Sequence, residues 1–251
     1  MRYFIRLSFD GANYHGWQVQ KNANSVQSEL NNALAMVLKK KEIETIGCGR
    51  TDTGVHAKKF FAHFDPDSYR DPIENTGELI HQLNSVLPHA IAIHSIFPVR
   101  EEDHARFSAT TRTYVYRLYR KKDPFLRDRS YYFPFDLEIK RMNSFAKRLL
   151  NHNDFSSFSK SNTQTLTNKC LITFAEWKME GDELIFTITA DRFLRNMVRA
   201  IVGTLLNAGL NKMNEKEFAD ILESRSRSEA GFSVPAHGLY LTNVTYPFPV
   251  Y

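Results

Sequence analysis

The stretch Gly47-Cys48-Gly49-Arg50-Thr51-Asp52-Thr53-Gly54-Val55-His56-Ala57 joins two predicted strands, residues 43–49 and 58–64, and sets the topology of the first part of the chain. Its glycines permit backbone angles that residues with a Cβ avoid, and they leave space for another molecule to come close. A single carboxylate, Asp52, stands two residues after the cation of Arg50. Such an acid is a candidate nucleophile or general base. The alternative for an aspartate in a glycine-rich loop is a turn in which it bonds its own backbone.

The strands on either side of this loop belong to a repeated order of elements. Apolar residues alternate in the predicted strands and recur every three or four positions in the predicted helices. In the first part, strand, helix, strand, strand, helix and strand are predicted over residues 2–9, 25–40, 43–49, 58–64, 78–87 and 90–99, with Ser25 as an N-cap. The second part repeats this order loosely, with strands over residues 112–120, 171–179, 183–190 and 239–246 and helices over residues 139–150, 192–210 and 215–222.

Two β-α-β-β-α-β series predict an α+β protein made of two ferredoxin-like halves. We expect the halves, residues 1–103 and 104–251, to join into one mostly antiparallel sheet with helices on one side and a central cleft. The first half has the loop with Asp52, and the second begins with a segment rich in cations and aromatic residues.

The composition indicates a folded, intracellular protein. The chain has 251 residues, of which 42% are hydrophobic, enough for a sizeable core. No apolar stretch approaches the roughly 20 residues of a membrane span, and Arg6 interrupts the N-terminal apolar run where a signal peptide needs continuity. Cys48 and Cys170 are too few and too far apart for a disulfide framework. We therefore expect a cytoplasmic protein with reduced thiols and no membrane contact.

Positive charge is concentrated between His104 and Arg129. This segment has eight cations and two acids, a net charge of +6, whereas the whole chain has a net charge of +5. Between the cations stand five aromatic residues, Phe107, Tyr114, Tyr116, Tyr119 and Phe125. Because cations neutralise phosphates and aromatic rings stack on unpaired bases, the segment favours binding to single-stranded or loop RNA. The alternative is a solvated basic face.

The predicted helix over residues 192–210 has an apolar face and a cationic face. The apolar face repeats every four residues, as a core stripe does, and consists of Phe193, Met197, Ile201 and Leu205. The cationic face consists of Arg192, Arg195 and Arg199. A carboxylate in a water-poor site needs a neighbouring cation to stay ionised, and Arg199, flanked by apolar residues, is a candidate for that cation. For Arg192 we expect contact with solvent or phosphate.

A series of motifs along nearly the whole chain resembles the TruA-type tRNA pseudouridine synthases. The motifs are Asp10-Gly11 with Tyr14-His15-Gly16-Trp17-Gln18-Val19-Gln20, Ser25-Val26-Gln27, Gly49-Arg50-Thr51-Asp52-Thr53-Gly54-Val55-His56-Ala57, His104-Ala105-Arg106-Phe107-Ser108-Ala109-Thr110, Arg112-x-Tyr114-x-Tyr116, Asn153-Asp154-Phe155-Ser156-Ser157-Phe158, Phe193-x-x-x-Met197-Val198-Arg199-x-Ile201-Val202-Gly203 and Gly238-Leu239-Tyr240-Leu241. One such motif would be weak evidence, but so many in register are specific.

The resemblance implies an isomerase that converts uridine to pseudouridine at positions 38, 39 and 40, in the anticodon stem-loop of tRNA. It implies a homodimer that uses no metal and no organic cofactor. Asp52 matches the catalytic aspartate of the family, Tyr114 the tyrosine that stacks on the target base, and Arg199 the basic residue paired with the aspartate. RNA contacts are expected from Arg50, Arg70 and Arg106, which match such positions in the family, and from Phe107 beside them.

Some positions limit the resemblance, and other functions stay open from the residues alone. Residues 161–169 lack the arginine that relatives often have there, so we assign no RNA contact to them. For His56 we expect loop packing rather than catalysis. One alternative is a non-catalytic RNA-binding protein. Another is a metal-dependent nuclease in which Asp10 and Asp52 hold Mg²⁺, although the sequence has no tight cluster of carboxylates. A glycosidase-like hydrolase would need a second positioned acid, for which there is no strong candidate.

Overall fold

A computed structural model describes residues 1–66, 73–160 and 167–251, which form two compact units. The first unit comprises Met1–Thr110 together with Leu241–Tyr251, and the second comprises Thr111–Tyr240. The strands are β1 (Arg2–Phe9), β2 (Ile46–Gly47), β3 (His56–Phe64), β4 (Ile91–Val99), β5 (Thr111–Tyr119), β6 (Tyr131–Tyr132), β7 (Ile172–Glu180), β8 (Glu183–Ala190) and β9 (Leu239–Thr245). The α-helices are α1 (Val26–Val37), α2 (Thr76–Val86), α3 (Ile139–Arg148), α4 (Met197–Gly209) and α5 (Glu215–Ser224).

The predicted α+β class with mostly antiparallel strands is confirmed. Within the described residues, no helix is both long enough and apolar enough to cross a membrane. The division into halves at residues 103 and 104 stays a prediction. In the structure, the chain enters the second unit at Thr111 and returns to the first at Leu241, so most of the last strand belongs to the first unit.

The sheet of the first unit is centred on β1. Its order is β4-β1-β3, and β2 pairs with β3 on the side away from β1. Antiparallel pairing places Ile5 of β1 between Ala62 of β3 and Ile96 of β4, and all three side chains are buried. This strand order with one helix after each of β1 and β3 is the split β-α-β arrangement that the sequence predicts. The N-cap of α1 is Ser25, as predicted, and its hydroxyl accepts a hydrogen bond from the Ser28 backbone at 3.2 Å.

The sheet of the second unit has the order β5-β8-β7, with β6 parallel beside β5. Three aromatic side chains form a row across it, because Tyr116 lies opposite Phe186 and Phe186 lies opposite Trp177. All three are buried, and the rings of Phe186 and Trp177 lie 4.9 Å apart. The helix α4 is buried along most of its length, including Met197, Ile201 and Leu205 of the predicted stripe.

Two predicted elements are shorter than the sequence indicates. The helix predicted from residue 192 begins at Met197, because Asn196 has a left-handed backbone conformation, with φ of 67°, that a right-handed helix cannot include. The prediction that Arg192 and Arg195 share a helical face with Arg199 is therefore wrong. The strand predicted over residues 43–49 is limited to β2, since the Asn31 side chain of α1 binds the Thr45 backbone N–H at 3.0 Å in place of a strand partner.

Candidate active site and RNA contacts

The loop that contains Asp52 connects β2 to β3 in the first unit. Cys48 fixes its start, donating a hydrogen bond from its backbone to the Phe61 carbonyl at 2.7 Å. A turn closes it, in which the Val55 N–H bonds to the Asp52 carbonyl at 3.2 Å. Gly54 takes a positive φ of 79°, which favours glycine. The Asp52 side chain is half-buried, so one part of it faces solvent while the backbone around it is fixed.

A second segment, residues 11–16, supports this loop by backbone contact. The Gly54 N–H donates to the Tyr14 carbonyl at 3.2 Å. Gly16 has a φ of 90°, and a Cβ built on it would lie 2.2 Å from the Thr51 carbonyl oxygen. A Cβ on Gly11 would lie 1.9 Å from the Val55 carbonyl oxygen. These distances are far below ordinary contact, so both positions require glycine and the two backbones touch directly.

Aromatic packing also supports the start of the loop, at Gly47. The Trp17 ring stacks on Phe60 of β3 with centroids 4.3 Å apart. A Cβ on Gly47 would lie 2.5 Å from the Trp17 indole nitrogen. The motif over residues 14–20 therefore has a structural role, because it supports the Asp52 loop.

His56 joins the end of the loop to the Asp10–Gly11 turn, as loop packing predicts. Its imidazole is buried, and Nδ1 lies 3.2 Å from the Gly11 backbone nitrogen and 3.0 Å from an Asp10 carboxylate oxygen. The same Asp10 oxygen accepts a hydrogen bond from the Ala12 N–H at 3.0 Å. Both contacts make Asp10 a part of the turn. In the part of the chain that the structure describes, no group of three or more histidine, cysteine, aspartate or glutamate side chains is arranged to hold a metal ion.

The predicted RNA-binding residues of the first unit lie at its surface. Arg50 is exposed within the Asp52 loop. The Arg106 guanidinium lies 5.6 Å from the centre of the Phe107 ring, which is 76% exposed. Such a cation and ring together suit a nucleotide, which has both a phosphate and a flat base. Arg70 lies outside the described residues.

His104 organises the turn that displays Arg106 and Phe107. Its Nδ1 accepts hydrogen bonds from the Arg106 and Phe107 backbones at 3.0 and 3.2 Å, and its ring packs on Phe107 with centroids 4.4 Å apart. Burial lowers the pKa of His104, and the charges of Arg2 and Arg106 lower it further. The neutral imidazole is therefore favoured, and only an unprotonated Nδ1 accepts these bonds.

Tyr114 and Arg199 lie in the second unit. Tyr114, on β5, is half-buried, and Phe193 packs edge-on against its ring at 5.1 Å and 87°. Arg199 is in the first turn of α4, where its Nε donates to the Val234 carbonyl at 2.8 Å and its own carbonyl accepts from the Val234 N–H at 3.3 Å. Each of these two side chains thus contacts a neighbour in its own unit.

The cations and rings of the basic and aromatic segment, residues 104–129, differ in exposure and in ion pairing. Tyr116 and Tyr119 are buried, and burial raises the pKa of the Tyr116 hydroxyl far above its usual range. Two cations of the segment have acidic partners, since Arg117 of β5 pairs with Glu183 and Arg120, just after β5, pairs with Asp136. The exposed cations and rings of the segment lie in the turn with Arg106 and Phe107 and in the loop after β5.

Sequence reasoning gave no separate role to two residues that the geometry makes important. Gly16 shapes the Asp52 loop, and His104 shapes the turn with Arg106 and Phe107. Both residues lie in motifs that resemble those of the family, so the sequence indicates that the two segments matter. It does not indicate which contacts Gly16 and His104 make. A hydrogen bond from a backbone N–H to a ring nitrogen two residues earlier leaves no periodic pattern in the sequence.

Comparison with known proteins places nearly the whole chain in one group of enzymes. A family model described as tRNA pseudouridine synthase matches residues 145–247. The tRNA pseudouridine synthase A of Parabacteroides distasonis is 48% identical over 252 residues, which cover 99% of this chain and 98% of that protein. The protein of the same name from Bacteroides thetaiotaomicron is 47% identical over 100% of this chain and 92% of its own length. The one from Bacillus subtilis is 39% identical over 98% and 99%.

Proposed function

Because the chain belongs to the tRNA pseudouridine synthase A family, we propose that it converts uridine to pseudouridine at positions 38, 39 and 40, in the anticodon stem-loop of tRNA. Membership of the family makes it an isomerase that acts on uridine in tRNA. The three positions, the residue roles and the assembly are our proposal.

We assign catalysis to Asp52. The reaction breaks the C1′–N1 bond of uridine, turns the uracil and rejoins it through C5, so substrate and product are isomers. An ionised carboxylate has two ways to help: it adds covalently to the sugar or the base, or it removes a sugar proton. The observation on which the proposal mainly rests is the fixed loop, in which backbone bonds from Cys48, Gly54 and Val55 hold the half-buried Asp52 in one position. A positioned carboxylate spends little energy on reorganisation when it reacts.

The base must leave its stack before it can turn, and we assign its new contact to Tyr114. Extrusion of a base costs a few kcal/mol, and stacking on an aromatic ring returns roughly 1–3 kcal/mol. The edge-on contact with Phe193 supports this role, because it keeps the tyrosine ring in one orientation. We assign Arg199 as the cation that keeps Asp52 ionised, on the strength of the family resemblance. Further RNA contacts are assigned to Arg50, Arg70, Arg106 and Phe107.

The decisive experiment removes the charge of the Asp52 side chain and keeps its shape. Asp52→Asn and wild-type protein are incubated with unmodified tRNA, and pseudouridine is mapped by position. We expect no conversion by the variant and unchanged affinity for tRNA. Asp182→Asn, in an exposed turn of the second unit, is the matched control and should convert at the wild-type rate. Normal turnover by Asp52→Asn would refute the assignment, and conversion at positions other than 38, 39 and 40 would refute the substrate.

Two further measurements test the rest of the proposal. A substrate with deuterium at the 2′ carbon of the ribose distinguishes the routes, since only removal of that proton gives a primary isotope effect. Conversion should persist in EDTA, because we propose no metal. We also propose a homodimer in the cytoplasm. Sedimentation equilibrium should give about twice the 29.1 kDa of one chain, and a monomer mass with full activity would contradict the dimer.

A further inference from the structure

The loop between β5 and β6 displays the most exposed aromatic ring among the large apolar side chains that the structure describes. Phe125 is 90% exposed at its tip. Four cations of the same loop are also exposed, Lys121, Lys122, Arg127 and Arg129, and its only acids are Asp123 and Asp128. An aromatic ring that lies almost wholly in water contributes nothing to the core, and together with the four exposed cations beside it this ring is available to a partner outside the chain.

Hydrogen bonds fix the backbone of this loop. The Asp123 carboxylate accepts a hydrogen bond from the Phe125 N–H at 2.8 Å. The Leu126 carbonyl accepts from the Arg129 and Ser130 N–H groups, both at 3.0 Å. The Tyr240 hydroxyl donates to the Arg129 carbonyl at 2.7 Å. The ring is therefore presented on a fixed backbone, which reduces the entropy lost when a partner binds.

The chemistry of this loop fits a nucleic acid better than a protein. Cations beside an exposed ring complement a chain of phosphates with flat bases. We propose that residues 121–129 form a second contact for tRNA, in which Phe125 stacks on an unpaired base and the neighbouring cations bind phosphates. This proposal rests on the proposed function, because that function supplies tRNA as the partner.

The second contact is separate from Tyr114. Tyr119, the end of β5, is five residues after Tyr114, a span of roughly 17 Å at 3.3 Å per residue. Both ends of the loop lie at this end of β5, since β6 pairs with β5 beside Leu118 and Tyr119. Phe125 therefore binds a different nucleotide from the one on Tyr114.

Three substitutions of Phe125 test the stacking. Phe125→Ala and Phe125→Leu should weaken affinity for full-length tRNA by about fivefold to a hundredfold, from the usual contribution of one stacked base. Phe125→Trp should restore it. The rate at saturating tRNA should stay within twofold of wild type in all three, because the ring only binds. Phe174→Ala, which removes a 43% exposed ring from β7, is the matched control and should leave affinity unchanged.

Phe125→Trp also provides a direct signal. Both natural tryptophans, Trp17 and Trp177, are 2% exposed, so acrylamide should quench only the introduced indole. We expect tRNA to protect it. An indole already shielded before tRNA is added would mean that another copy of the chain covers the loop, and this would overturn the proposal. So would wild-type affinity in Phe125→Ala or in Phe125→Leu. Absence of pseudouridine in the wild-type reaction would refute the proposed function, whereas the binding and quenching results would still decide the loop.

Discussion

Gly16→Ala is the change that most directly tests how the Asp52 loop is positioned. The new methyl group would lie 2.2 Å from the Thr51 carbonyl oxygen and 3.2 Å from the Asp52 carbonyl carbon. An ordinary carbon–oxygen contact is about 1 Å longer than the first distance. The Thr51–Asp52 peptide must therefore move by about 1 Å, or the residue 16 backbone must move instead.

The expected magnitude follows from this displacement. A shift of about 1 Å at a reacting group costs on the order of a hundredfold in rate. The φ of 90° adds strain for any residue with a Cβ, about 1–2 kcal/mol, and relief of the overlap raises the loss of folding stability to about 2–4 kcal/mol. We expect affinity for tRNA to fall much less than the rate, because Arg50 lies in the displaced loop whereas the turn with Arg106 and Phe107 and the loop after β5 do not.

Gly49→Ala is the control for this experiment. Gly49 lies in the same loop, but a Cβ on it meets nothing within 4 Å, and its φ is not positive. The assay is single-turnover conversion of unmodified tRNA, well below the melting temperature of both variants, with circular dichroism as the check of folding. A folded Gly16→Ala protein that converts tRNA within threefold of wild type would show that the contact between Gly16 and Thr51 does not position Asp52. A large loss in Gly49→Ala would show that an added methyl group in this loop reduces conversion without moving a neighbour, and the loss in Gly16→Ala would then not be evidence for the contact with Thr51.

Three other predictions concern stacking of the target base on Tyr114, the salt dependence of tRNA binding and the protonation of the buried His63. Tyr114→Phe should retain most conversion, whereas Tyr114→Ala should lose roughly tenfold or more, since only the former keeps a ring to stack; equal rates would exclude stacking. Affinity for tRNA should fall steeply with salt, and removing the charges of both Lys121 and Lys122 should reduce the log–log slope by about 1.5; an unchanged slope would mean that they do not reach phosphates. Burial lowers the pKa of His63 to about 4, so the unfolded chain binds the proton first and stability should decrease as pH falls from about 6.5 to 4. After allowance for screening the loss is about 1–2 kcal/mol; equilibrium urea unfolding should show it in wild type and show a flatter profile in His63→Gln.

The sequence predicts the elements well where periodicity decides them. The strands β1, β3, β4, β5, β7 and β8 fall within two residues of their predicted bounds, because apolar and aromatic residues are concentrated in each of them, although β3 is buried almost continuously and not on alternate side chains. The start of α4 was placed five residues too early. The spacing of Phe193 and Met197 is helical, but Asn196 takes a conformation that ends the pattern, and no periodic rule detects a single left-handed residue.

Contacts between distant residues could not be predicted in the same way. The sequence marks Gly16 and Thr51 as parts of two motifs, yet the approach of one backbone to the other is set by the folding of the 34 intervening residues. Likewise, the interleaving of cations and aromatic residues over residues 104–129 includes Tyr116 and Tyr119 among the candidate RNA-binding rings, whereas both are buried in the structure. The composition shows how many aromatic rings the segment has, but only the folded structure shows which of them are exposed.

The last strand has a consequence for synthesis on the ribosome. Thr110 bonds to the Thr245 carbonyl at 2.8 Å, the Tyr246 hydroxyl bonds to the Ala105 carbonyl at 2.6 Å, and the Phe248 ring packs 5.8 Å from Phe4. These partners are synthesised only after about 130 further residues, which takes roughly 7–25 s at about 5–20 residues per second. The first unit is thus complete only when residues 241–251 have been made, and until then its apolar strands lack these contacts.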